Sequence, residues 1–422
     1  MKRISGVFDQ IVSIENLQLA DERARRGKKC KYGIQIHDRN REFNLSMLKT
    51  KLENGTYRTS EYHIFKMVTD NGKEREIYRL PYYPDRIMQH AVMNILSPLF
   101  VGMFIRDTYS CIQGRGIHDG VKRLSKVLYT DPGNTQYCLK LDIKKFYPSV
   151  DNDILKMLLR RKFKDSRLLS VLDEVIDSAK GLPIGNYLSQ YLANFYLTYF
   201  DHWLKEKAGV KYYFRYCDDM VILSNDKEYL HVICNKIDAY LSEKLNLTLK
   251  GNYQVFPVAS RGIDFLGYVF YHDKIRLRKS IKKNFARKMR TKSQSKKTQV
   301  IGSYKGWCKY GNCANLYKKI TGMKLFSELG IKVDQIPMAG EKIKINRVVN
   351  KQIEVVDFEL NSSKFNSESG HKCLKLQIRF ENELRVVFTG ATMLVQAISK
   401  IEKTNLPFMT IIVENNGFYT FT

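Results

Sequence analysis

Residues 215–219 read Arg215-Tyr216-Cys217-Asp218-Asp219, between the β-type run 210–214 and the apolar run 220–223. Two adjacent carboxylates at the tip of a β-hairpin are costly to hold together, because like charges a few ångström apart repel. The pair becomes tolerable when a divalent cation sits between the carboxylates and a polyphosphate. The stretch therefore points to metal-assisted phosphoryl transfer. Chelating two cations needs a third carboxylate, and Asp142 supplies it at the end of the apolar strand expected over 137–143. Two cations roughly 3.5–4 Å apart would bridge an attacking hydroxyl and a triphosphate. Mg²⁺ suits such a site because it takes oxygen ligands and keeps substrate phosphates in its shell, with Mn²⁺ as a substitute.

The chain of 422 residues is long enough for two or three domains, and 44% apolar content can fill their cores. Its formal charge is +28, from 71 Lys+Arg against 43 Asp+Glu. That excess is clustered and points to a polyanionic partner, nucleic acid first. The 8 Cys form no paired framework. Cys308 and Cys313 lack a second metal-ligand pair, so reduced thiols are expected. The start Met1–Arg3 is not followed by an apolar segment, and no run of 18 apolar residues occurs. No secretory leader and no membrane span are expected, and the location expected is cytoplasmic.

Residues 1–60 read as helical and basic, with Arg23, Arg25, Arg26, Lys28, Lys29 and Lys31 in one segment. Residues 61–80 read as a hairpin turning at Asn71-Gly72. Helix follows over 85–105 from Ile87, Ala91, Ile95 and Leu99. A helix capped by Asp151 or Asn152 begins near 151, and a long amphipathic helix is expected over 188–204. The Asp-Asp hairpin, a helix near 229–245 and strands near 264–271 and 275–277 come next. This alternation predicts an α+β fold rather than a doubly wound parallel sheet. Residues 278–297 carry ten Lys/Arg and no acid. With Ile281, Phe285 and Met289 on one stripe they predict a single cationic helix, and Lys279, Lys282, Lys283, Arg287, Lys288 and Arg290 are its candidate phosphate contacts. A domain boundary is expected near 325–340. Beyond it, strands and one helix are expected over 341–422.

Three motifs in order, at Asp142, at 181–190 and at 216–219, resemble the reverse transcriptase family. Arg261-Gly262-Ile263-Asp264-Phe265-Leu266-Gly267-Tyr268 looks like its primer grip. Residues 75–92 and 113–118 look like its finger blocks. The resemblance covers about residues 40–320 and implies a right-hand polymerase. Its parts would be an N-terminal extension and fingers over 1–136, a palm over 137–277 and a helical thumb over 278–330, followed by a small β-rich domain over 341–422.

The resemblance also implies roles. Asp142, Asp218 and Asp219 would hold the metals, with the Ile143 carbonyl as an added ligand. Arg75 and Arg86 would clamp the incoming triphosphate. Tyr147 would exclude a ribose 2′-hydroxyl, though it or Phe146 also reads as a core aromatic. Lys250 would protonate the departing pyrophosphate. Gly185 would let backbone approach the nucleotide, and Gly114, Arg115 and Gly116 would meet the template. Where many members carry Gln-Gly-x-x-x-Ser-Pro, this chain has Ile184, Gly185 and, at the end, Gln190. That pattern resembles the diversity-generating retroelement enzymes and the defence-associated, unknown-group bacterial ones. It implies an altered fidelity or nucleotide preference.

The expected function is RNA-directed DNA synthesis on a structured noncoding RNA template, giving cDNA from dNTPs, in antiviral defence. A diversity-generating enzyme with a small accessory protein is the nearest alternative, and a non-catalytic RNA-binding chaperone is the alternative of another class. A homo-oligomer is compatible with either. In residues 341–422, Phe358, Phe365, Phe380, Phe388, Phe408, Phe418, Tyr419 and Phe421 are interleaved with cations. They read either as sandwich core or as a base-stacking, OB-like single-strand-binding module.

Overall fold

The computed structural model describes residues 3–322 apart from Lys29, 69–71 and Lys73, together with 338–362 and 372–422. The chain forms two compact units, residues 1–323 and 324–422. The expected boundary at 325–340, the Asn71 turn and Phe365 lie largely or wholly outside the described residues.

In the first unit the ribbon β1 (His63–Val68) and β2 (Glu74–Arg79) is followed by a long helix, Ile87–Met103. The central sheet contains β3 (Tyr137–Asp142), β4 (Tyr212–Tyr216), β5 (Asp219–Ser224) and β6 (Gln254–Pro257), in the order β4-β5-β3-β6. All its pairings are antiparallel. Leu139, Leu141, Met220 and Ile222 are buried, together with Ile233, Ile237 and Leu241 of the helix Lys227–Leu245. The alternate residues of β3, among them Lys140 and Asp142, are left on the opposite face. A smaller sheet follows, β7 (Ile263–Phe265), β8 (Tyr268–Phe270) and β9 (Ile275–Leu277). The α+β architecture is as expected.

Two helices differ from expectation. The segment 188–204 breaks into Tyr187–Tyr196 and Thr198–His202. Around the break the Asn194 carbonyl accepts from the Thr198 hydroxyl at 3.1 Å and from Arg215 Nη2 at 3.5 Å. The cationic segment 278–297 breaks after Thr291, where Lys292 turns extended, and a second helix runs Gln294–Cys308. The two pack through Phe285 stacked on Tyr304, ring centroids 4.3 Å apart. Asp151 caps the helix Asn152–Lys162, accepting from the backbone of Asp153 and Ile154.

The second unit is one open six-stranded sheet, β10 (Glu341–Ile343), β11 (Gln352–Ser362), β12 (Lys372–Phe380), β13 (Glu383–Thr389), β14 (Phe408–Asn415) and β15 (Phe418–Phe421), with a helix Thr392–Ile398. The order is β10-β13-β12-β11-β14-β15, and no end strand pairs with the other among the described residues. Phe358 is buried, and Phe380, Phe408, Tyr419 and Phe421 pack against the same core. Phe388 and Phe418 are exposed. Residues 338–422 carry 11 Lys/Arg against 9 Asp/Glu, so the cationic excess lies elsewhere. Among the described residues no helix is long and apolar enough to cross a membrane.

One buried carboxylate helps tie the N-terminal helices to the rest of their unit. Asp21, fully buried, accepts from Arg25 Nη2 at 2.7 Å, from Arg41 Nε at 2.6 Å and from the Tyr82 hydroxyl. Burial pushes its carboxyl up, but the bonds from His37, Arg25, Tyr82 and Arg41 outweigh burial and hold it well below the usual carboxylate range. Its contribution to stability is complete above the ordinary carboxylate pKa and is lost as pH falls below about 4. Asp21→Asn should cost about 2–4 kcal/mol in urea unfolding at neutral pH, and the gap from the parent should narrow in acid.

Candidate metal centre and polymerase site

The register of β3 on β5 sets Asp142 directly opposite Asp219. Side chains of such a cross-strand pair share one face. Asp218 sits in the tight turn before Asp219, next to Cys217, whose φ of +57° is left-handed. The Asp218 carboxyl is pushed up to about 6, by burial first and then by the charge of Asp142. Asp219 is also raised, by burial first, with Lys140 opposing. These are the shifts that crowded, partly desolvated carboxylates must show.

Two lysines answer the crowding. Lys250 Nζ pairs with Asp142 Oδ2, and its backbone N–H donates to the Asp142 carbonyl at 2.9 Å. Lys140 Nζ lies 3.2 Å from Asp219 Oδ1 and 3.3 Å from Oδ2. The buried oxygens Asp142 Oδ1 and Asp219 Oδ1 have no hydrogen bond, since Lys140 does not meet Oδ1 in bonding geometry. Among the described residues no three Asp, Glu, His or Cys side chains are gathered tightly enough to close on one ion. The carboxylates expected to share the cations are held by lysines instead, Asp219 by Lys140 and Asp142 by Lys250. The donor set still fits a hard cation: all oxygen, with two buried oxygens that accept no hydrogen bond.

The loop 181–185 packs against this centre. The Leu182 N–H donates to the Tyr147 carbonyl at 2.9 Å. The Cys217 thiol donates to the Tyr147 hydroxyl at 3.7 Å, and burial pushes that hydroxyl up. Phe146, by contrast, is 2% exposed and belongs to the core. Of the two aromatics, Tyr147 is the one at the turn. Burial and then Asp218 push the Cys217 thiol up to about 12.

Other expected residues are placed differently. Gly185 has φ +132°, and a Cβ there would stand 2.2 Å from the Tyr78 carbonyl. The space of that Cβ is taken by β2 of this chain, whose Tyr78 N–H donates to the Ile184 carbonyl at 2.8 Å. Arg86 is half-buried in a narrow recess with Leu80, Gln89, His90, Gly185, Asn186 and Tyr187. Burial lowers its pKa, and so does its cationic neighbour Arg79. Arg79 thus lies within charge range of Arg86, while Arg75 stands exposed on β2 opposite Met67. Lys28 is lowered by Arg86 and by burial. Burial, with Arg86, Lys28 and Arg23, holds His90 down at about 4. Gln190 is exposed on the first turn of its helix, outside the recess.

Two clefts adjoin the centre. One, of about 910 Å³, is lined by Gln113, Gly114, Gly116, His118, Tyr191 and Lys122 among others. Arg115 does not line it, because Nη1 turns back to the Ile105 carbonyl at 3.3 Å. The second, of about 460 Å³, runs from Asp219 past Arg278 and Asn284 to Lys288 and Tyr304. The clefts share Ile117, Tyr216, Ser303 and Trp307. Of the six cations expected on the helix Lys279–Thr291, Lys288 lines the cleft. Lys279, Lys283, Arg287 and Arg290 are exposed, and Lys282 is half-buried.

A family model described as reverse transcriptase (RNA-dependent DNA polymerase) matches residues 67–270, which carry every carboxylate of this centre. Residues 67–270 are a reverse transcriptase domain. Residues 339–422 match a second family, described as a domain of unknown function (DUF8468). Protein YkfC of Escherichia coli (strain K12) is 24% identical over 270 residues, covering 53% of this chain and 70% of that protein. Group II intron-encoded protein LtrA of Lactococcus lactis subsp. cremoris is 23% identical over 171 residues, covering 38% of this chain and 28% of that one. Nuclear intron maturase 4, mitochondrial, of Arabidopsis thaliana is 26% identical over 182 residues, covering 40% and 22%. This chain therefore spans less than a third of either intron protein. Apo telomerase from Candida Tropicalis superposes with a TM-score of 0.40 at 12% identity, over 51% of this chain and 48% of that one.

Lys140, Arg79 and Arg278 of the reverse transcriptase domain and its flank were not expected at the site. Lys140 had a sequence signal, since it precedes Asp142 by two residues and so shares its face. Arg278 and Arg79 are placed by tertiary contacts, and no local pattern marks them. Gly185→Ala should destabilise the domain by about 1–3 kcal/mol in urea unfolding, because both the φ and the Tyr78 carbonyl oppose a Cβ. A variant as stable as the parent would contradict the Gly185–Tyr78 joint.

Proposed function

We propose that this chain is an RNA-directed DNA polymerase that copies a cognate structured noncoding RNA into cDNA, in the setting of antiviral defence. The observation that carries the catalytic part is the cross-strand pair Asp142–Asp219 beside Asp218, with two buried oxygens that accept no hydrogen bond in the protein. Asp142, Asp218 and Asp219, with the Ile143 carbonyl, would hold divalent cations. Bound there, Mg²⁺ or Mn²⁺ would neutralise the triphosphate and activate the primer hydroxyl.

The remaining roles belong to the chain itself. Arg86 and Arg79 have no Asp or Glu partner among the described residues and suit a polyphosphate beside Gly185. Tyr147 would stand against the sugar of the incoming nucleotide. Lys250 would serve as proton donor to pyrophosphate only after leaving Asp142. The second cleft, with Arg278 and Lys288 along it, suits a duplex backbone leading to Asp219. Ile184 and Gln190 support a fidelity different from that of Gln-Gly-type relatives. The defence setting is supported by the 184–190 pattern and by the appended region 339–422.

Primer extension on an RNA template with dNTPs and Mg²⁺ tests the reading. The parent should synthesise DNA and lose activity with EDTA. Asp218→Asn with Asp219→Asn should fall by on the order of 10³-fold or more. RNA binding by that variant should persist and weaken steeply with salt, because phosphate contacts carry it. RNA binding without synthesis by the parent would favour the chaperone. Tyr147→Ala should raise ribonucleotide incorporation in the same assay, and unchanged discrimination would remove that role. Phage challenge of cells carrying parent or double variant tests the setting, and equal plaque counts would count against it.

A further inference from the structure

Behind the Asp218–Asp219 turn lies a polar cluster closed to solvent. Arg215 and Asp201 are both 0% exposed. They pair in two places, Nε to Oδ1 at 2.9 Å and Nη2 to Oδ2 at 2.5 Å. The Tyr213 hydroxyl donates to the same carboxylate at 2.7 Å. One guanidinium nitrogen remains, and it faces the turn. Nη1 donates to the Cys217 carbonyl at 3.0 Å and to Asn194 Oδ1 at 3.1 Å. Asn194 Nδ2 donates in turn to the Ser110 carbonyl at 2.8 Å. The Arg215 backbone is held by the neighbouring segment, its N–H donating to Asp107 and its carbonyl accepting from Tyr109.

Apolar side chains of similar volume commonly replace a buried ion pair without loss of stability. What they cannot supply is a directed donor. Here the donor meets the carbonyl of Cys217, a non-glycine residue in the left-handed region. That conformation is disfavoured and persists where its surroundings hold it. The carbonyl belongs to the peptide unit that leads into Asp218.

We propose that Arg215 is a positioning residue: anchored by Asp201 and Asn194, it holds the Cys217 carbonyl and so sets the direction in which Asp218 and Asp219 project toward Asp142. Arg215 touches no reacting atom. Its effect passes through one peptide unit. The proposal rests on the polymerase reading, so the parent must first extend a primer. A parent that fails to do so defeats that reading, whereas the variants below address Arg215 alone.

Two variants test it. Arg215→Lys keeps the charge beside Asp201 but cannot reach both Asp201 and the Cys217 carbonyl. Arg215→Met with Asp201→Leu removes the pair without stranding a charge. Each is assayed for cooperative melting, RNA binding, kcat, KM for dNTP and the Mg²⁺ concentration giving half-maximal rate. For a folded variant that binds RNA within about twofold of the parent, the expected result is kcat lower by about 10- to 100-fold. KM for dNTP should stay within about threefold and the Mg²⁺ requirement should rise several-fold. A purely structural role would not move the Mg²⁺ requirement of a folded protein. Parent-like kcat and Mg²⁺ dependence in either folded variant would overturn the proposal. So would a double variant that fails to fold beside a fully active Arg215→Lys.

Discussion

Asp142 and Asp219 face each other across one rung of an antiparallel ladder, with a third carboxylate one residue away. Such a ladder has a side-chain period of two. A slip of one residue between β3 and β5 would carry Asp142 to the side now occupied by Leu139 and Leu141, and the aliphatic residues to the cleft. The register is fixed from behind by the burial of Leu139, Leu141, Met220 and Ile222 over the helix Lys227–Leu245. The core and the charged face are therefore one specification. The electrostatic strain it creates is met locally by Lys140 and Lys250, one from the same strand and one tied to Asp142 by a backbone hydrogen bond.

A second joint connects this sheet to the β1–β2 ribbon. Every residue of β1 is exposed, so the ribbon has little core of its own. Its attachment at the loop is a backbone contact, Tyr78 on Ile184, made close by the missing side chain at Gly185. The same contact carries Arg79 toward Arg86. The space that a side chain would fill at this glycine is taken by another strand.

The carboxylates and the strands bearing them were legible because local alternation and turn chemistry both point to a hairpin at 216–219. The helix after 279 was legible in its buried stripe but not in its end, since the cationic run continues past Thr291 without a marker. Nothing near Leu197 announces the break in the helix that starts at Tyr187, because the carbonyl involved is shared with Arg215, far along the chain. Arg75 and Arg79 lie four residues apart on one strand and so share a face, and only the position of the ribbon on Gly185 separates them. In the second unit, Leu374, Leu376 and Ile378 alternate with Lys375, Gln377 and Arg379 as a half-buried strand should. Composition alone could not tell Phe358, which is core, from Phe388, which is not.

The uneven charge has a consequence of its own. Residues 1–323 carry 58 Lys/Arg against 32 Asp/Glu, while in the C-terminal unit Lys375, Arg379, Arg385 and Lys403 are each paired with a nearby Glu or Asp. In a counterion atmosphere the two units are different materials. One is a polycation whose attraction for any polyanion would slacken as ions are added, and the other is an ampholyte that ionic strength scarcely touches.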